Sequence, residues 1–169
     1  MMPGMSSNVT LTGVSVDRAT VAPLRPGDPR LASWRAFLMA HSRVWHRLDE
    51  DLRQEHDLTL PEYECLLFLV EAPDRRLRMR EIADRALLSK SGVTRMVDRL
   101  VADGLVERTS CMTDARGAEA SLTKAGVGRL RAASRTHLKG IDDYFLSVLD
   151  RDQLAVIERA MAAVDARAG

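Results

Sequence analysis

The most constraining stretch of this chain lies between residues 80 and 122, where the pattern of side chains changes several times in quick succession. Residues 80–87 read as a short helix with Ile82, Ala83 and Ala86 inward. Ser89 is placed to cap a second helix running to about residue 102, with Val93, Met96, Val97 and Leu100 inward. Gly104 stands where a helix ends on a left-handed residue. Leu105-Val106-Glu107-Arg108 then begins a strand, and Thr113-Asp114-Ala115-Arg116-Gly117 is a polar, turn-forming cluster. Ala118-Glu119-Ala120-Ser121-Leu122 reads as a second, weaker strand, so a β-hairpin follows a helix pair.

The flanks are helical. Across 31–56, Trp34, Phe37, Leu38, His41, Trp45, Leu48 and Leu52 follow one face of a 3.6-residue period, and the opposite face is charged. That stripe carries both tryptophans and is wider than a small core needs, which makes it a candidate for packing against another subunit. Thr59-Leu60-Pro61-Glu62 fits a capping box that opens a further helix, ended at Ala72-Pro73-Asp74. Leu58 before the cap can staple to Tyr63. Thr123 is expected to cap a long helix over about 124–149, with Leu130, Ala133, His137, Ile141, Tyr144, Phe145 and Val148 on its apolar side. Asp150 is expected to cap a last helix to about 166, with Leu154, Ile157, Met161 and Val164 inward. Pro3, Pro23, Pro26 and Pro29, with Gly4, Gly13 and Gly27, break any long period in residues 1–29, so a flexible arm is expected there. The expected fold is mainly α with a small β-hairpin wing: a winged helix-turn-helix over 58–123, flanked by helices in 30–57 and 124–169.

Charge sharpens this picture. The 169 residues carry a formal net charge of only +1, which argues against a nonspecific polyanion coat. Its distribution is uneven: residues 58–74 hold 4 acidic and no basic groups, while residues 75–116 hold 10 basic and 6 acidic groups. A local basic island permits a nucleic-acid face. No run of about 18 apolar residues occurs, so no transmembrane helix is expected. The first 30 residues lack a continuous apolar segment of the secretory kind, and two cysteines, Cys65 and Cys111, cannot build a disulfide framework. A cytoplasmic protein with reduced thiols is expected. His41, His46, His56 and His137 contain no HxxxH pair, so no metal or other cofactor is expected. Neither a convergent nucleophile–base pair nor a metal set is present, so the chain does not read as an enzyme.

The second helix of the pair carries the chemistry. Its outward positions are Lys90, Ser91, Thr94, Arg95 and Asp98. Ser91 and Gly92 are small, which lets the backbone approach DNA, and the helix N-terminus favours a phosphate. Arg95 can grip a guanine with two hydrogen bonds, and Thr94 can touch a thymine methyl or a phosphate, in a major groove about 12 Å wide. Arg116 at the hairpin tip can enter a narrow, negative minor groove, with Asp114 holding Arg116 or a turn amide in place.

These residues carry a resemblance. The run Arg80-Glu81-Ile82-Ala83, then Leu88-Ser89-Lys90-Ser91-Gly92-Val93-Thr94-Arg95-Met96-Val97-Asp98-Arg99-Leu100, then Gly104-Leu105-Val106-Glu107-Arg108, Asp114-Ala115-Arg116-Gly117 and Leu122-Thr123-Lys124-Ala125-Gly126 resembles the multiple-antibiotic-resistance regulator (MarR) family. The resemblance covers roughly residues 31–165. It implies a homodimer built from the first and last helices, bound to a pseudo-palindromic DNA operator and acting as a repressor released by a small ligand or an oxidant. By position it assigns DNA contacts to Ser89, Lys90, Ser91, Thr94 and Arg95, and the wing motif to Asp114 and Arg116. It further implies an aromatic-acid effector, for which Trp34, His41, Trp45 and Tyr63 are candidate lining residues, the alternative for each being dimer core. Two departures stand out: Ala115, where many members have a second arginine, and Ala86-Leu87-Leu88 at the turn, where a glycine is common. The oxidant-sensing branch uses a cysteine in the first helix, which here has none; Cys65 reads as a buried thiol. The alternatives are a thiol-based redox sensor of the same fold and a winged-helix interaction module without DNA binding.

Overall fold

The computed structural model describes residues 10–11, 14–15, 23–110 and 118–168, and the chain divides into two compact units, Met1–Met39 and Ala40–Gly169. In the first unit, β1 (Thr10–Leu11) pairs antiparallel with β2 (Val14–Ser15). Helix α1 (Leu31–His56) starts in this unit, where Trp34 and Phe37 lie with ring centroids 5.9 Å apart.

The second unit is organised around α2 (Leu60–Glu71). Its expected capping box is formed: the Glu62 N–H donates to Thr59 Oγ1 (3.2 Å) and the Thr59 N–H donates to Glu62 Oε2 (2.7 Å). The Leu60 N–H donates to Asp49 Oδ1 (2.7 Å), which ties the helix start to α1. Leu60, Cys65, Leu66 and Leu69 are buried with Leu58 and Leu52 in one core that also takes Ile82, Val93, Val97 and Leu100. No helix among the described residues is long and apolar enough to cross a membrane.

After α2 comes a single 3₁₀ turn, Pro73–Arg75, and then a strand the sequence did not announce, β3 (Arg76–Arg78). It pairs antiparallel with β5 (Ala118–Leu122), which pairs on its other edge with β4 (Val106–Ser110). Leu77 sits opposite Ala120, and both are buried. The wing is therefore rooted in a three-stranded sheet of order β3-β5-β4 rather than in a hairpin alone.

The helix pair is α3 (Met79–Ala86) and α4 (Lys90–Ala102). Ser89 caps α4 by accepting the Gly92 N–H (3.2 Å). Gly104 takes the expected left-handed conformation at φ +69. The tight turn between the helices is made with Leu87 at φ 52 and ψ 34, a left-handed backbone that costs a leucine roughly 1–2 kcal/mol.

Two expectations about the C-terminal helices are corrected. The long helix does not run unbroken to 149: α5 (Lys124–Ile141), capped by Thr123 accepting the Gly126 N–H (2.9 Å), is followed by a π-helical turn at Asp142–Leu146. Tyr144 in that widened turn donates its hydroxyl to Asp51 Oδ2 on α1 (2.8 Å), a contact that helical periodicity does not encode. The final helix, α6 (Arg151–Ala168), begins as expected: Asp150 Oδ1 accepts the Gln153 N–H (2.8 Å). Yet none of its described residues is buried, and the expected inward residues Met161 and Val164 are exposed, as is Val148 before it.

His137 lies on α5 against Tyr63, with ring centroids 4.5 Å apart, and its Nδ1 is buried with no hydrogen-bond partner among the described residues. Burial holds its pKa below the ordinary histidine value of 6.5. The unfolded chain therefore takes up this proton first as pH falls through 6.5, so acid removes stability that is present at neutral pH. His137→Phe keeps a ring on Tyr63 without the proton site. Its thermal midpoint is expected to fall less between pH 7.5 and 5.5 than that of the parent, and an equal fall in both proteins rejects the assignment.

Candidate nucleic-acid interface

Helix α4 is amphipathic in the sense a groove-reading helix requires. Val93, Met96, Val97 and Leu100 are buried, while Lys90, Ser91, Arg95 and Asp98 are exposed. Thr94 is half-buried and donates its hydroxyl to the Lys90 carbonyl (2.9 Å). Ser89 and Ser91 hydroxyls lie 3.2 Å apart at the helix start. Among the described residues neither Lys90 nor Arg95 makes an ion pair. The structure thus brings together five of the seven expected DNA-contact residues. The other two, Asp114 and Arg116, lie outside the described residues, as do Ala115 and Cys111.

The helix is held from both flanks by neighbouring residues whose partners lie far away in sequence. Arg108 on β4 donates to Asp98 (2.9 Å), joining the wing root to the exposed face of α4. On the other flank Arg99 donates to the Asp57 carboxylate (3.2 Å) and carbonyl (3.3 Å), and it lies 3.4 Å from Glu62 Oε1. Glu62 is the buried charge that also closes the α2 capping box, so one carboxylate serves α2 and α4 together. The sequence alone identified Asp98 only as an outward position. Its partner lies 10 residues on, and the Arg99–Asp57 pair spans 42, beyond the reach of any periodicity argument.

The expected ligand-lining residues are dispersed between two environments. Trp34, His41 and Trp45 are exposed on α1, and the His41 and Trp45 rings stack at 5.8 Å. Tyr63 is buried beneath α5, with its hydroxyl 3.4 Å from Ser134 Oγ. A surface groove of about 550 Å³ is lined instead by the end of α1 and by α5, including Arg53, His56 and Arg129. Among the described residues no group of three or more His, Cys, Asp or Glu side chains is placed to hold a metal ion.

Cys65 is fully buried, and burial together with the nearby Glu62 charge pushes its thiol up to about 12. A thiol that ionises so reluctantly is a poor nucleophile at neutral pH. In Cys111→Ser protein a thiol reagent is expected to label Cys65 only after denaturation. Rapid native labelling contradicts this burial.

The similarities to known proteins agree with this geometry. A model of the MarR family matches residues 56–117. The HTH-type transcriptional regulator MhqR of Bacillus subtilis (strain 168) is 27% identical over 126 residues, spanning 73% of this chain and 85% of that protein. AbsC, a MarR family transcriptional regulator from Streptomyces coelicolor, has a TM-score of 0.76 at 28% identity, over 87% of this chain and 97% of that one. Sco3205, a MarR family transcriptional regulator from the same organism, solved in complex with DNA, has a TM-score of 0.77 at 29% identity, over 85% of this chain and 90% of that one. These proteins are transcriptional regulators and not enzymes. In sequence and in fold this chain is thus similar to MarR family transcriptional regulators, one of them solved in complex with DNA.

Proposed function

We propose that the protein is a cytoplasmic repressor that binds a pseudo-palindromic operator as a homodimer and is released by a small aromatic acid. The observation that carries the DNA reading is the outer face of α4, where Lys90, Ser91 and Arg95 are exposed together and Thr94 stands beside them. In this reading Arg95 and Thr94 meet base edges, while Ser89, Ser91 and Lys90 meet phosphate at the positive end of the helix. Asp114 and Arg116 extend the contact into the minor groove.

Dimerisation is supported by apolar side chains that are exposed among the described residues. On α1 these include Trp34 and Leu38, and in the C-terminal helices Leu138, Val156 and Val164. Segments 30–57 and 124–169 are assigned to this role, and 58–123 to the DNA-binding domain. A twofold dimer places two copies of α4 about 34 Å apart, one turn of B-DNA, which is why an inverted repeat is expected. The exposed, stacked rings of His41 and Trp45 are suited to a flat aromatic effector. Release follows if that ligand prefers a lobe spacing unsuited to DNA, and DNA affinity then falls by the ratio of its two affinities.

The deciding experiment is fluorescence anisotropy on duplexes from the region upstream of the gene, over a range of salt, with sedimentation of the same samples. A dimer that binds with a steep salt dependence is expected. A monomer, or a dimer that shifts none of these duplexes and selects none from a random pool, defeats the proposal and leaves an interaction module without DNA binding.

A further inference from the structure

Leu87 combines two choices that a stable fold avoids. It lies in the left-handed region at φ 52, where glycine is free of strain and leucine is not, and its side chain is 92% exposed. The backbone is held there by its surroundings: the Leu87 N–H closes α3 on the Ala83 carbonyl, and the Leu88 N–H donates to the same oxygen (3.2 Å). A glycine would keep both hydrogen bonds and expose no apolar surface. The leucine therefore contributes nothing to the isolated chain that glycine would not supply with less strain. Its position is informative, because the residue after next is Ser89, the cap of α4, followed by exposed Lys90 and Ser91. Leu87 thus lies exposed in the turn that leads into the N-terminus of α4, two residues before its cap.

We propose that Leu87 is a DNA contact, whose side chain packs on the apolar carbon surface of the bound duplex, a thymine methyl or a deoxyribose at the lip of the major groove. This rests on the DNA reading above and extends it to the turn. Apolar contact with the thymine methyl is an established form of base readout, and the exposed leucine is buried only when the duplex is present.

The test uses the intact protein and the duplex it selects most strongly from a random pool. Leu87→Ala removes the side chain but keeps a strained backbone; Leu87→Gly removes both. Both variants are expected to bind that duplex about three- to tenfold more weakly, as loss of part of a leucine's burial implies. The glycine variant is expected to melt at a higher temperature than the parent even so. Replacing each thymine in turn by uracil separates the two carbon sources: a thymine-methyl contact weakens the parent at one position and leaves Leu87→Ala unchanged there, whereas a deoxyribose contact is blind to the substitution. Parental affinity in both leucine variants overturns the inference and leaves the DNA reading standing. Dissociation of the variants to monomers in sedimentation also overturns it, since Leu87 then belongs between copies of the chain. A parent that selects no duplex overturns the DNA reading itself.

Discussion

Gly126→Ala is expected to destabilise the protein by about 3 kcal/mol, although alanine is the better helix former by about 1 kcal/mol. A Cβ at this position would stand 2.2 Å from the Leu105 carbonyl oxygen and 3.1 Å from its carbon, both backbone atoms that cannot swing aside. The same carbonyl accepts the Thr123 N–H (3.1 Å) and lies 3.1 Å from the Thr123 hydroxyl, so moving it also loosens the N-cap of α5. Steric displacement plus a weakened cap outweighs the gain in helix propensity. Gly128, two residues on in α5, is the internal control: a Cβ there meets nothing within 4 Å. Gly128→Ala is therefore expected to stabilise by up to about 1 kcal/mol through propensity alone. Urea unfolding of both variants measures the two effects with opposite signs. A Gly126→Ala midpoint at or above that of the parent removes the argument that α5 touches the root of the wing through a bare backbone.

Arg95→Ala is expected to weaken binding to the selected duplex by about 1–3 kcal/mol while relaxing specificity at a single base pair. The fold should hardly notice, because Arg95 is exposed and has no ion pair among the described residues; a surface truncation of this kind stays within about 0.5 kcal/mol. Arg99, four residues on, provides the contrast. Its guanidinium is turned back to Asp57 and Glu62, so Arg99→Ala uncovers the buried Glu62 charge and is read in stability as well as in affinity. Measured on the selected duplex and on an unrelated one, an equal loss from Arg95→Ala on both would reassign Arg95 to a phosphate. Undiminished binding by Arg95→Glu would remove α4 from the interface altogether.

How much of this was readable before folding follows from the range of each interaction. Thr59, Ser89, Thr123 and Asp150 were identified as caps because a cap is settled within four residues, and each forms the expected hydrogen bond. The inward set of α4 was readable for the same reason, as one face of a single turn repeated. β3 was not, because three residues carrying two arginines have little strand character until β5 lies beside them. The π-helical turn at Asp142–Leu146 was likewise invisible, since the Tyr144–Asp51 contact joins residues 93 apart.

Local chemistry in the chain thus specified where helices begin, which side of α4 is greasy and which is left to meet another molecule, because those depend on neighbours one or two turns away. Folding in three dimensions settled the rest. The third strand under the wing and the clamp of Arg99 and Asp98 on either flank of α4 arise where separate segments meet, and their energies exist only once those segments are side by side.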